Sequence, residues 1–164
     1  MSKKLYLVRH AKSDWSHAGL SDFDRPLNER GLRNAPFMAD QFAEAGKTVD
    51  FILTSPANRA ITTAGYFKRQ LGMRDNQWDT ERKMYEADTA RLLGIINRLD
   101  DKHNAVMLVG HNPGLSSMVQ MLTGEWVVMS TCSIAEIEIP FDSWSLASEG
   151  SGKLLSFDFP KRYV

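Results

Sequence analysis

The sequence predicts an α/β fold: a three-layer α/β/α sandwich around a mostly parallel sheet with an antiparallel edge strand. Three features carry that expectation. The runs LYLV (5–8) and AVMLV (105–109) are short, continuous and β-prone. They read as strands buried on both faces rather than half-exposed ones. Segments with helical periodicity separate such runs, which is the pattern of β-α-β crossovers. The last third changes character: Ser133–Ile139 alternates apolar and polar residues, and Gly152–Phe159 looks like its hairpin partner.

The elements follow in order. Lys3–Val8 forms the first strand. His10–Leu27 is polar, carries Gly19 and Pro26, and reads as a loop over the sheet edge; long loops in compact domains are usually functional. Asn28 can cap a helix from Glu29 to Ala45 that Gly46 ends. Pro36 inside it predicts a kink or a broken first turn. Asp50–Thr54 is a second strand, and Ser55-Pro56 leads into a helix from Asn58 to Leu71, closed by Gly72. Thr80–Tyr85 reads as a short strand. Thr89–Leu99 is a helix with Leu92, Leu93, Ile96 and Leu99 on one stripe. Ala105–Val109 is a central strand, and Leu115–Leu122 is a helix with Pro113 near its start. The order is β-α-β-α-β-α-β-α-β-β.

With 164 residues, 43% of them hydrophobic and 24% charged, the chain reads as one domain over 1–164 with room for a core. Twenty basic and twenty acidic residues cancel. No global field then favours nucleic acid or an anionic membrane, so a preference for anions must come from a local pocket. Cys132 is the sole cysteine, which excludes an internal disulfide and points to a reducing compartment. The start, MSKKLYLVRHAK, lacks the length and cleavage site of a signal peptide, and no stretch approaches the roughly 20 apolar residues of a membrane span. A cytoplasmic location is expected, with no nucleic-acid or membrane partner.

The chemistry gathers at strand ends. Arg9-His10 follows the first strand, Arg59 lies in SPANRAITTA (55–64) on the first turn of the following helix, and His111 follows 105–109. In an open parallel sheet these ends lie on one side, where ligands bind. Arg25, in DRPLN (24–28), can fold over the same mouth or pair with Asp22 or Asp24. Arginines bind phosphate oxygens in pairs and stay charged. A neutral imidazole can attack phosphorus, while a second one, if protonated, can hold oxygens as charge develops. Two histidines with surplus arginines therefore suggest a phosphoryl site, with helix N-termini adding oriented N–H groups.

Four segments in order, RHAKSDW (9–15), DFDRPLNERG (22–31), SPANRA (55–60) and VGHNPGLS (109–116), resemble the histidine phosphatase superfamily, and within it the small bacterial phosphohistidine phosphatases of the SixA-like type. Ala11 stands where Arg-His-Gly is commoner. The resemblance implies a phosphoglycerate-mutase-like fold without a cap subdomain. It implies His10 as phosphate-accepting nucleophile, Arg9, Arg25 and Arg59 as the phosphate clamp, and His111 as second histidine. It further implies a metal-independent phosphatase without cofactor whose pocket takes phosphate, sulfate or vanadate. The partner would be a phosphohistidine-carrying protein such as a phosphotransfer domain or carrier. The acid for a leaving oxygen is Glu86 or Asp88, in YEADT (85–89), or no residue; Glu86 is favoured. A small-molecule phosphomonoesterase or mutase, and a non-catalytic module binding phosphorylated ligands, are the alternatives.

Other residues read as structural. His17 and His103 belong to the surface, and Cys132 is a small buried hydrophobe. Asp22-Phe23-Asp24 mimics the paired aspartates of another phosphatase class, but it sits in a polar loop rather than at a strand end. A metal on His10 and His111 would be repelled by the surrounding arginines.

Overall fold

A computed structural model describes residues 2–163. The strands are β1 (Lys3–Arg9), β2 (Phe51–Thr54), β3 (Trp78–Thr80), β4 (Ala105–Gly110), β5 (Ile134–Ile139) and β6 (Lys153–Asp158). They form one six-stranded sheet in the order β3-β2-β4-β1-β5-β6. The first four run parallel; β5 runs against β1 and β6 against β5. The C-terminal ends of β1, β2 and β4 therefore lie together, with Val8 and Thr54 both in register with Val109.

Four helices cover the sheet: α1 (Glu29–Glu44), α2 (Asn58–Gln70), α3 (Thr89–Asn97) and α4 (Gly114–Thr123). Alternate strand residues feed two cores. Leu5, Leu7, Val106 and Leu108 pack with Leu92, Ile96, Leu115 and Met118 of α3 and α4. Tyr6, Val8, Met107 and Val109 pack with Met38, Phe42, Ala64 and Phe67 of α1 and α2. Double-sided burial is the reason β1 and β4 are apolar without alternation. Asn28 Oδ1 accepts the Gly31 N–H at 2.9 Å and Asp88 Oδ1 the Arg91 N–H at 2.9 Å, capping α1 and α3.

Two expectations change. The strand placed at Thr80–Tyr85 is instead β3, three residues at the sheet edge, followed by a 3-10 turn over Arg82–Met84. Glu81 accepts the Lys83 N–H at 3.1 Å and turns the chain out of the sheet, so Met84 enters the core from a turn. Pro36 does not interrupt α1. The carbonyl it deprives of a donor belongs to Leu32, an exposed residue, where water can replace the missing bond.

The 10–28 loop is pinned across the strand ends. Ser13 bridges Leu27, Asp14 N–H donates to Pro26 O at 2.8 Å, and Asn28 N–H donates to Lys12 O at 3.0 Å. Gly31 lies so close to the Lys12 carbonyl that a β-carbon would collide with it, which makes the glycine the point where loop and helix touch. Among the described residues no helix is long and apolar enough to cross a membrane.

Candidate active site

Two strand ends, one helix and the pinned loop build the site. β1 ends in Arg9 and delivers His10, whose N–H donates to Gly110 O at 3.0 Å; His111 follows on β4. The two imidazoles face each other with ring centroids 5.2 Å apart and planes tilted by 55°. The first turn of α2 adds Arg59, and the pinned loop adds Arg25. The residues singled out in the sequence thus converge.

His10 is 7% exposed. Its Nδ1 lies 2.7 Å from the Ala11 carbonyl, a partner that can only accept, so Nδ1 carries the proton and Nε2 keeps a free lone pair. Ala11, fully buried, has its N–H held by Thr63 Oγ1 at 3.0 Å. Burial pushes the His10 pKa down to about 3; the Ala11 bond opposes this, and His111, Arg59 and Arg9 reinforce it. His111 is pushed down to about 4, first by burial and then by Arg59, with Asp22 opposing. Both rings are therefore neutral at pH 7, so the condition under which the second imidazole would hold oxygens as a cation is not met before substrate arrives. His111 Nε2 lies 2.8 Å from Ser55 Oγ, and that oxygen accepts the Ala57 N–H at 3.2 Å.

Among the described residues, the buried side-chain N and O atoms without a hydrogen-bond partner are Arg9 Nε, Arg59 Nε and His111 Nδ1. Leaving such a group unpaired costs about 1–3 kcal/mol, more where it is charged. All three belong to residues around His10, and a shared oxyanion would satisfy them.

Asp22, Tyr85 and Ser55 were not singled out from the sequence for the site. The Asp22 carboxylate accepts from Arg25 Nε and Nη2 at 3.1 and 3.0 Å, from Arg59 Nη2 at 2.9 Å and from the Tyr85 hydroxyl at 2.6 Å. Its backbone oxygen takes Arg59 Nη1 at 2.6 Å. Partial burial raises its pKa, but the bonds from Tyr85, Arg25 and Arg59 outweigh this and hold the carboxyl well below the usual range. Arg25 also gives Nη1 to Ser13 Oγ, and its guanidinium stacks 3.4 Å from the centre of the Trp15 ring. Arg25 is thus bound to Asp22, the pairing that the three-residue spacing allowed. The available signals were that spacing for Asp22 and the position of Ser55 at the head of SPANRA.

Glu86 is exposed, adopts a left-handed φ of 57°, and lines a hollow of about 460 Å³ beside His111. Non-glycine residues held there store strain, a frequent feature of functional sites. Asp88 lines the same hollow but is engaged as the α3 cap. His17 lies exposed at 3.3 Å from Asp14, and His103 stacks on Phe51, with ring centroids 4.9 Å apart. Cys132 is fully buried, which pushes its thiol up to about 12. Among the described residues no group of three or more His, Cys, Asp or Glu side chains is placed to hold a metal ion.

The model of the histidine phosphatase superfamily (branch 1) matches residues 5–95. An uncharacterized chloroplastic protein of Arabidopsis thaliana is 30% identical over 160 residues, covering 93% of this chain and 73% of that one. A SixA protein from Agrobacterium tumefaciens superposes with a TM-score of 0.82 at 30% identity, covering 96% of this chain and 98% of the other. The protein histidine phosphatase SixA complexed with tungstate superposes at 0.84 with 21% identity, covering 98% and 99%; at that identity the likeness speaks for the fold.

Proposed function

The chain belongs to the histidine phosphatase superfamily, and within it we propose that it hydrolyses phosphohistidine on a protein, through a phosphohistidine formed on its own His10. The observation that carries this is a buried, neutral His10 beside three unpartnered buried nitrogens, Arg9 Nε, Arg59 Nε and His111 Nδ1, the last a donor in the tautomer the mechanism requires. Those donors suit the three peripheral oxygens of a phosphoryl group, whose transfer needs mainly positioning and charge neutralisation.

In the first step His10 Nε2 attacks phosphorus, and the bond from phosphorus to the substrate ring nitrogen breaks. That ring leaves as neutral imidazole when its far nitrogen carries a proton, which an imidazole takes unaided at about pH 6.5. In the second step water attacks the phosphorus on His10 and orthophosphate leaves. His10 departs as neutral imidazole because its Nδ1 proton, held on Ala11 O, is already in place. The mechanism requires Ser55 to donate to His111 Nε2, the arrangement that leaves the His111 proton on Nδ1 for a phosphoryl oxygen. Arg25 acts through Asp22, which fixes the Arg59 guanidinium.

The open approach supports a protein substrate. Between Arg59 and His111 the chain builds the rest of α2, then β3, a 3-10 turn, α3 and β4, with no capping subdomain. The SixA match at 30% identity also supports this reading. A second reading, a small-molecule phosphomonoesterase or mutase, is favoured by one observation: strained Glu86 beside His111, available as an acid for a leaving oxygen.

The test is turnover of a phosphohistidine protein by wild type and His10→Ala, with sugar and aryl phosphates as comparisons. Wild type is expected to release phosphate in excess chelator and to form an acid-labile, base-stable phosphoenzyme; His10→Ala does neither. Undiminished hydrolysis by His10→Ala overturns the mechanism. Loss in chelator that zinc restores overturns metal independence. Phosphate, sulfate or vanadate should compete in wild type. A wild type that binds these anions and turns over nothing is a binding module.

A further inference from the structure

We propose that the basic hollow behind Tyr85 is a docking surface for an acidic segment of the phosphoprotein substrate. The hollow, of about 450 Å³, is lined by Phe23, Glu81, Arg82, Lys83, Tyr85 and Arg91. Arg82, Lys83 and Arg91 are exposed, and none of their side chains appears in a hydrogen bond or ion pair among the described residues. Glu81, the one acid, turns its carboxylate to the Lys83 N–H, so the lining carries a net charge of +2 from three cations and one anion. Phe23 and Tyr85 form an aromatic wall, their rings edge to face at 5.2 Å.

That wall is shared with the catalytic mouth. The other side of Tyr85 meets the His111 ring at 5.6 Å, and its hydroxyl binds Asp22. His111 in turn faces His10 at 5.2 Å. Two ring-to-ring contacts, His10 to His111 and His111 to Tyr85, thus connect the nucleophile's ring to the wall of the hollow. A second hollow, beside His111, has Glu86 and Asp88 and no cation in its lining. The mouth therefore adjoins one acidic and one basic hollow. Such an arrangement orients a partner by charge, raising association rate and fixing register. Carboxylates next to the phosphohistidine would meet the three cations on one side and be repelled on the other. This surface rests on the protein-substrate reading of the site; its own test is separable from it.

The probes are synthetic phosphohistidine peptides flanked by glutamates or by lysines, their unphosphorylated forms, and phosphoimidazole as a substrate with no flank. Binding of the unphosphorylated Glu-flanked peptide is followed by amide NMR shifts over 82–91. The variant is Lys83→Glu with Arg91→Glu, both exposed side chains outside the catalytic set. Wild type is expected to bind the Glu-flanked form, weakly and less at high salt. The variant should lose that binding and show KM raised roughly tenfold for the Glu-flanked substrate, with kcat kept and phosphoimidazole unchanged. Equal handling of both flanks by wild type, or equal loss on peptide and phosphoimidazole, overturns the proposal. Shifts over 82–91 with citrate but with neither peptide make the hollow a small-molecule subsite and equally overturn it. If wild type hydrolyses nothing, the proposed function fails, yet peptide binding still decides the surface.

Discussion

Two buried neutral imidazoles should make the fold sensitive to mild acid in a narrow window. His10 and His111 have pKa values near 3 and 4 in the native state, while an unfolded histidine titrates near about 6.5. Between pH 7.5 and 5.5 the unfolded chain takes up protons that the native site refuses. Each ring then favours the unfolded state by about 1.4 kcal/mol at pH 5.5, so the pair removes about 2.7 kcal/mol. The stability these rings allow is complete above the unfolded pKa and is lost as pH falls below it. The carboxylates held low by partners, Asp22 and Glu136 among them, stay ionised in both states across this window. They contribute only below about pH 5, so the window isolates the histidines.

The loss is a large share of the roughly 5–15 kcal/mol that holds a domain together. Urea denaturation midpoints at pH 7.5, 6.5 and 5.5 measure it. Replacing His10 by Asn should remove about half of the pair's share of the pH slope, and replacing both rings by Asn should leave only the background slope. Saturating vanadate should raise stability at each pH by occupying the unpartnered donors. A double variant with the slope of wild type would refute buried neutrality and, with it, the free lone pair on His10 Nε2. His103, whose pKa is lowered mainly by partial burial and then by Lys102, sets the background slope that persists in every variant.

Two substitutions probe the second ring and the acid. Ser55→Ala removes the partner of His111 Nε2; kcat should fall by roughly 10- to 100-fold with KM little changed, and the nitrogen NMR signature of an Nδ1-protonated ring should disappear, whereas Ser55→Thr restores both. An unaltered tautomer in Ser55→Ala would separate the serine from the ring. Glu86→Gln should slow aryl and alkyl phosphates more than phosphohistidine, because only an alkoxide or phenoxide needs a proton delivered to the leaving atom. Equal slowing of all substrates would defeat the leaving-group argument.

The fold was legible because burial writes itself into β1 and β4: Leu5–Val8 and Val106–Val109 are apolar on both faces since helices cover both faces. β3 was misread because it is short, sits at the edge and carries Asp79 and Thr80, while the buried residue nearby, Met84, belongs to a turn. Local pattern cannot distinguish a turn that reaches the core from a strand that does. The site was legible where a side chain follows a strand end, as for His10 and His111. It was not legible where a residue acts through another. Asp22 reads as a loop acid until Arg25, Arg59 and Tyr85 arrive from three parts of the chain. Gly114 likewise reads as a helix start, yet its missing β-carbon is what lets the Ala87 carbonyl approach and holds the Glu86 segment beside His111.

Asp22 also settles how the mouth balances charge. Arg9, Arg25 and Arg59 supply three positive charges, Asp22 removes one, and the two imidazoles add none at pH 7. The remaining +2 matches a phosphoryl dianion. Without Asp22, the buried Arg25 and Arg59 beside half-buried Arg9 would leave an uncompensated charge before substrate arrives, which is costly in a low-dielectric site. With the rings protonated, His10, the nucleophile of the proposed mechanism, would have no lone pair to give. Neutral histidines and an internal carboxylate are therefore one solution: they let the site hold its arginines stably, keep a lone pair on His10, and, in the proposed mechanism, leave the phosphoryl group as the anion that completes the site.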